Sequence, residues 1–297
     1  MLDSVLPLAL YLFLGYGFKI FFHDNSKQLV EFVIYFALPA VVFSKIYPLV
    51  IDERIVGLIF MFMGIVLLNL ALAYAVGKLL KLNKILLATF MIVSTFGNTS
   101  FVGFSYIDAF YGDDFIVYGL IYDFFGSFLL LVSVGMMVIT WGTGKKNNIK
   151  SIIRSVVLFP PMVVFFITII AKIFDVPQFL LNTSDSLGST LVPVAMIAIG
   201  MKLEIKHIFE RFHIVSIALI LKMLLVPILV LIGFQMFYNI DQTWVKVTII
   251  EVAMPPMTMA TVLAIRGGLD EKLAINTLVI GVLLSLITIT AFVSYLG

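Results

Sequence analysis

Residues 85–107 read ILLATFMIVSTFGNTSFVGFSYI, an uncharged run with Gly97-Asn98-Thr99-Ser100 at its centre. A helix needs about 20 mostly apolar residues to cross the hydrocarbon core of a bilayer, so this run is long enough to span. Its interruption is the informative part. Glycine loosens a helix, and three consecutive polar side chains at membrane depth are tolerated only inside protein or beside a water-filled cavity. A second run, VTIIEVAMPPMTMATVLAI at 247–265, carries Ala253-Met254-Pro255-Pro256-Met257 at its own centre. Each proline removes a backbone donor and clashes with the preceding turn. Two spans broken in mid-membrane predict half-helix ends that meet near the midplane. The half-helix N-termini offer unpaired N–H groups and positive dipole ends, a geometry that favours an anion.

Working outward from these two, Ile55–Gly77 and Leu273–Gly297 contain no charged residue. Phe115–Gly144 contains only Asp123, and Phe212–Ile240 only Lys222 beside a terminal His213. The shorter runs Ser4–Phe18, Phe32–Ser44, Ser155–Ala171 and Ser186–Met201 bring the expected number of spans to ten. The composition agrees, with 62% hydrophobic and 12% charged residues among 297. An average soluble domain is about 45–50% apolar and about 25% charged, so lipid is the solvent for much of this surface. The expected fold class is an all-α polytopic membrane protein with ten transmembrane helices.

With the N-terminus outside, the inside loops carry 14 Lys and Arg residues and the outside loops only Lys45, Arg54, Lys172 and Lys246. That bias sets a multi-pass orientation in the cytoplasmic membrane with both termini outside. The start, Met1-Leu2-Asp3-Ser4, lacks the basic segment and cleavage site of a secretory signal, so the first apolar run reads as a retained helix. There are no cysteines, and the three histidines are scattered. No metal site or cofactor is expected. The net charge of +2 is spread out, so no nucleic-acid partner is expected either.

An odd number of spans per half inverts the second half relative to the first. Leu38-Pro39-Ala40 in span two matches Val192-Pro193-Val194 in span seven at an offset of 154 residues; the breaks at Asn98 and Pro255 lie 157 apart. The reading is a 5+5 inverted repeat: a first five-helix unit at 1–141, a short cytoplasmic linker at 142–150, and a second five-helix unit at 151–297. Matched Gly/Pro interruptions in two halves are the best sequence pointer to a transporter's binding site. Asn98, Thr99, Ser100, Pro255, Pro256 and Met257 are therefore the candidate substrate-binding residues.

Three ionisable residues lie well inside spans: Asp123, Lys222 and Glu251. Each costs roughly 2.5–3.5 kcal/mol at a helix centre on insertion scales, so such residues usually face a cavity or a partner. Lys222 is a candidate for charge balance with a substrate carboxylate, or for one half of a static ion pair. By the repeat offset it falls near Asn69 of span three. Asp123 and Glu251 are candidates for carrying a proton. No catalytic residue is expected, because no nucleophile–base motif and no nucleotide-binding loop appears, so the chain does not read as an enzyme.

Several strings then combine: Leu38-Pro39-Ala40-Val41-Val42-Phe43, Gly97-Asn98-Thr99-Ser100-Phe101-Val102-Gly103-Phe104, Val192-Pro193 with Ile199-Gly200-Met201-Lys202-Leu203, Leu221-Lys222 with Pro227, and Ala253-Met254-Pro255-Pro256. As an ordered set over the whole chain they resemble the auxin efflux carrier family, whose bacterial members are often described as malate, malonate or other dicarboxylate permeases. The resemblance implies an elevator-type fold like that of bile acid:sodium symporters and sodium/proton antiporters. It implies a scaffold of spans one, two, six and seven, often dimeric, and a moving domain of spans three to five and eight to ten. It also implies that Asn98 contacts substrate, that Pro255 shapes the crossing, and that Lys222 marks a support site near the position of a sodium ion in the symporter relatives. Two features depart from the family. The long central loop of plant members is reduced here to about nine residues, and Ser105 follows Phe104 where a proline is common.

The function expected is alternating-access transport of a small organic anion such as a mono- or dicarboxylate, by a protein embedded in the lipid bilayer as a homodimer. The alternatives are a sodium-coupled symporter, which a fixed ammonium at Lys222 disfavours, and a membrane sensor that does not transport.

Overall fold

A computed structural model describes residues 2–50, 52–144, 157–203 and 210–297, and among these the regular structure is helical apart from one isolated backbone bridge. The helices, in chain order, are α1 (Leu2–Phe21), α2 (Ser26–Ile46), α3 (Glu53–Leu79), α4 (Lys84–Thr95), α5 (99–111) and α6 (Asp113–Thr143). They continue with α7 (Pro160–Ala171), α8 (Gln178–Lys202), α9 (Phe212–Phe237), α10 (Thr243–Ala253), α11 (Thr258–Gly267) and α12 (Glu271–Leu296). Most of the linker expected at 142–150 lies outside the described residues.

Six of these helices, α2, α3, α6, α8, α9 and α12, are long and apolar enough to cross a membrane. The shorter α1, α4 and α7 are equally apolar in character. Helix α3 shows why lipid has to be the solvent. Its most apolar stretch has a mean hydropathy of 2.7, yet only 33% of it is buried within the protein. Phe60 and Leu68 on that helix, Ile167 and Ile170 on α7 and Ile287 on α12 all point outward. A polypeptide that spends its Phe, Leu and Ile on the outside is a polytopic membrane protein.

Local sequence sets the helix ends. Asp52 caps α3 by accepting from the Arg54 and Ile55 amides at 3.0 Å each, Asn83 caps α4 through the Leu86 amide at 3.0 Å, and Asp270 caps α12 through the Leu273 amide at 2.8 Å. Short polar side chains at these positions satisfy amides that have no partner within the helix. Helices α2 and α8 run longer than their apolar cores (32–44 and 186–201) because their polar first turns also fold as helix.

The helices pack in two groups. Helix α1 lies along the second half of α8, and α2 is flanked by α7 and α8. The approach of α1 to α8 depends on two glycines. A Cβ on Gly15 would overlap the Ile197 carbonyl group and one on Gly200 that of Leu12, so only hydrogen fits at both positions. Gly17, by contrast, faces open space. The second group contains α3, α4 and α6 on one side and α9, α10, α11 and α12 on the other, with α12 touching α4, α9, α10 and α11. Where the groups meet, the start of α5 packs against the end of α8.

Among the described residues there are five π-helical turns, four within helices at Val33–Ala37, Tyr122–Phe128, Leu131–Gly135 and Leu221–Leu225, and one, Thr99–Gly103, that opens α5. Two of them end just before prolines, Pro39 and Pro227. The proline ring presses on the carbonyl four residues back, at Tyr35 and Met223, and the helix widens there. Three of the five turns carry Thr99 with Ser100, Asp123 and Lys222.

Candidate functional site

Helix α4 ends at Thr95 and helix α10 at Ala253, both deep inside the protein. Beyond each end the chain becomes extended, at Phe96 in one case and at Met254 and Met257 in the other. The two extended segments run antiparallel and pair. The Asn98 amide donates to the Pro255 carbonyl at 2.7 Å, and the Met257 amide donates to the Phe96 carbonyl at 2.9 Å, which makes a two-residue bridge between Gly97 and Pro256. Backbone freed by the breaks thus satisfies itself across the crossing instead of facing hydrocarbon.

Glycines make room for this arrangement. A Cβ on Gly97 would lie 3.2 Å from both the Lys222 Nζ and the Met254 Cβ. One on Gly281 of α12 would lie 2.7 Å from the Pro256 ring. Pro255 and Pro256 therefore act as backbone: the first supplies a carbonyl and the second the rigid corner.

Past the crossing, α5 and α11 begin with their N-termini close together, and the Asn98 amide group donates to the Thr258 hydroxyl at 3.2 Å. The first-turn amides of both helices, at 99–101 and 258–260, have no acceptor within their own helices. A cavity of about 360 Å³ opens at this point, and Asn98, Ser100, Asp123, Met257 and Thr258 form its inner wall. A larger groove of about 770 Å³ lies elsewhere, between the start of α3 and the Tyr238–Trp244 aromatic pair, and contains none of the break residues.

Asp123 is fully enclosed, and both Thr99 and Ser100 donate their hydroxyls to its Oδ1, Ser100 at 3.1 Å. The structure thus gives Thr99 to Asp123, whereas Ser100 serves both Asp123 and the cavity wall. Lys222 is buried behind the crossing. Its Nζ donates to the Val252 carbonyl at 2.5 Å, one residue before the end of α10. Glu251 occupies a niche walled by glycines. A Cβ on Gly119 would sit 2.8 Å from its Oε1, and one on Gly103 would sit equally close to the same oxygen. Among the described residues neither carboxylate oxygen of Glu251 has a hydrogen-bond partner.

Of the residues singled out from sequence, Asn98, Ser100, Asp123 and Met257 meet in one cavity. Thr99, Pro255 and Pro256 build its wall from behind, and Lys222 and Glu251 stand one layer further back. Thr258 was not anticipated. Its only sequence signal is its place as the first residue after the second break, the counterpart of Thr99 after the first.

The sequence profile of the membrane transport protein family matches residues 1–293. An uncharacterized transporter of Methanocaldococcus jannaschii is 28% identical, over 97% of this chain and 96% of its own length. An uncharacterized transporter of Methanothermobacter thermautotrophicus is 25% identical over 97% and 95%. A Rhizobium meliloti protein named "Putative malonate transporter" is 25% identical over 96% and 92%.

Proposed function

This chain belongs to the membrane transport protein family, a family of transporters and not of enzymes, and we propose that it is a secondary active transporter moving a small organic anion, such as a mono- or dicarboxylate, by alternating access. The observation that carries the reading is the 2.7 Å bond from the Asn98 amide to the Pro255 carbonyl. It holds two broken helices together so that the N-termini of α5 and α11 converge on one cavity. The unpaired first-turn amides and dipole ends, with the second Asn98 Nδ2 hydrogen and the hydroxyl hydrogen of Thr258, are donors that suit a carboxylate. The name of the Rhizobium meliloti relative points to the same ligand class.

In this reading the breaks divide two of ten spans, α4 with α5 and α10 with α11, and the chain is a 5+5 inverted repeat in the cytoplasmic membrane with both termini outside. The group of α1, α2, α7 and α8 is the fixed scaffold and the dimer contact, and the other group moves as an elevator. Support for two states comes from the ends of α2. Near its start the cavity is open beside Lys27, whereas near its end Lys45 pairs with Asp113 and, at 3.2 Å, with Asp185. Asp113 begins α6 and Asp185 lies on α8, so this pairing ties the two groups together at the closed end.

An acid in an anion's cavity has to be neutralised or it repels the ligand. Asp123 is therefore the proposed proton carrier, with Glu251 as a second titrating group behind it. Sodium coupling is the alternative, and the two unpartnered Glu251 oxygens favour it. Lys222, in the adjacent turn of packing, opposes a cation there.

The test is a panel of radiolabelled carboxylates, including malonate and acetate, in proteoliposomes under imposed pH and sodium gradients, with Asn98→Ala alongside. Saturable uptake driven by the pH gradient and lost in Asn98→Ala is expected. No flux of any carboxylate, or unchanged flux in Asn98→Ala, would sink the proposal.

A further inference from the structure

The cavity at the crossing has a charged mouth that none of the features discussed so far requires. Lys27 from the first turn of α2, Lys202 at the end of α8 and Arg266 in the last turn of α11 all line it. They come from three helices and from both packed groups, so chain connectivity does not explain their meeting.

Several basic side chains elsewhere in this protein find acids, Lys172, Lys222 and Lys246 find backbone carbonyls, and Lys78 and Lys84 lie over aromatic rings. Lys45 has Asp113 and Asp185, Arg211 has Asp270 at 3.2 Å, Lys272 has Glu210, and Lys27 itself has Glu31 at 3.9 Å. Lys202 and Arg266 are different. Among the described residues neither has a carboxylate within ion-pair distance, and Asp24 acts on Lys202 only at longer range. The excess of basic residues on one side of the membrane accounts for the sign of the charge here. It does not account for two cations that share one cavity and lack partners. Their places at helix C-termini suit the helix dipole but leave the donors of the guanidinium and ammonium free.

The walls between this mouth and the crossing are apolar, formed by Ile34, Phe101, Phe128, Phe159 and Val262. A passage of one charge sign between low-dielectric walls concentrates its field on whatever enters. A ligand of charge −2 gains about twice the Coulomb energy of a ligand of charge −1 at the same point. The inner wall has no such bias, because its donors are neutral and Asp123 stands among them.

We propose that Lys202 and Arg266, with Lys27 at the rim, form an anion subsite at the cavity mouth that selects dianions over monoanions before they reach the crossing. The proposal rests on the carboxylate-transport reading above and adds the residues that set its charge preference.

The experiment measures binding of radiolabelled malonate and acetate to the full-length, detergent-purified protein at low and high salt. The variants are Lys202→Gln/Arg266→Gln, the charge-conserving Lys202→Arg/Arg266→Lys, and Lys78→Gln, which removes a basic residue outside the cavity. Wild type and Lys78→Gln should prefer malonate, and the Gln pair should lose about tenfold in malonate affinity, with a flatter salt dependence and little change for acetate. The charge-conserving pair should keep the preference, which separates charge from folding. Equal binding of both ligands by wild type, or an undiminished preference in a folded Gln pair, overturns the subsite and leaves carboxylate transport standing. Failure of wild type to bind any carboxylate overturns both.

Discussion

The Lys222 ammonium ends on the Val252 carbonyl, 2.5 Å away, at the broken end of α10. Asn69 does the equivalent for α4: its amide nitrogen donates to the carbonyl of Thr95, the last residue of that helix, at 3.3 Å. The last carbonyls of a helix have no partner within it, and a break in mid-membrane exposes them where water is scarce. Each break is thus capped from the helix before it, once by an amide and once by a cation that also suits the helix dipole. Lys222→Met keeps most of the bulk and removes the donor. It should destabilise the protein by about 1–3 kcal/mol, the cost of an unpaired buried carbonyl. Thermal unfolding in detergent checks this, and an unshifted midpoint would contradict the capping role.

A side chain at residue 103 would overlap the Glu251 carboxylate and no other group as closely, so Glu251 fits only because that residue is glycine. Gly103→Ala should disrupt packing around the carboxylate and cut uptake to near background, while Gly103→Ala combined with Glu251→Ala should recover a monodisperse protein. The two changes share one space, so their effects should be strongly non-additive. Size-exclusion profiles of the single and double variants decide the point. Equal damage from Gly103→Ala in both backgrounds would count against a shared niche.

Asp123, held by the Thr99 and Ser100 hydroxyls, is the one acid among the described residues on the cavity's inner wall. Asp123→Asn keeps the shape and removes the titration. Uptake driven by an imposed pH gradient should fall by about tenfold or more, whereas exchange of labelled for unlabelled substrate at equal pH should survive. A variant that still concentrates substrate in response to the gradient would move the proton elsewhere.

Lys45 ties Asp113 to Asp185 at the end of α2 remote from the open mouth. The chain has no cysteine, so an introduced pair can be read without background. Lys45→Cys/Asp113→Cys should be bridged by mercuric ion, and bridging should stop uptake until a thiol reductant removes the metal. Full uptake in the bridged protein would show that this end need not open.

Much of this protein is legible in its order of residues. Lipid exposure follows from composition, and the positions of the helix breaks follow from Gly97-Asn98 and Pro255-Pro256, because proline and glycine act on their own backbone wherever they lie. Asp123, Lys222 and Glu251 stand out as isolated charges in apolar runs. Their roles do not, since a charge in a helix says that a partner is required and not which one. Thr99 reads as a ligand donor from its position yet spends its hydroxyl on Asp123. Lys202 and Arg266 read as ordinary loop-proximal cations, and only the meeting of α2, α8 and α11 makes them a mouth.

What the residues alone determined was a membrane-embedded helical chain interrupted at two places, because hydropathy and backbone restriction are local properties. The tertiary structure decided which freed amides pair, which carbonyls Asn69 and Lys222 cap, and which side chains share a cavity. Those contacts join residues more than a hundred positions apart in several cases, and helix packing at ångström precision chooses among partners that the sequence leaves equivalent.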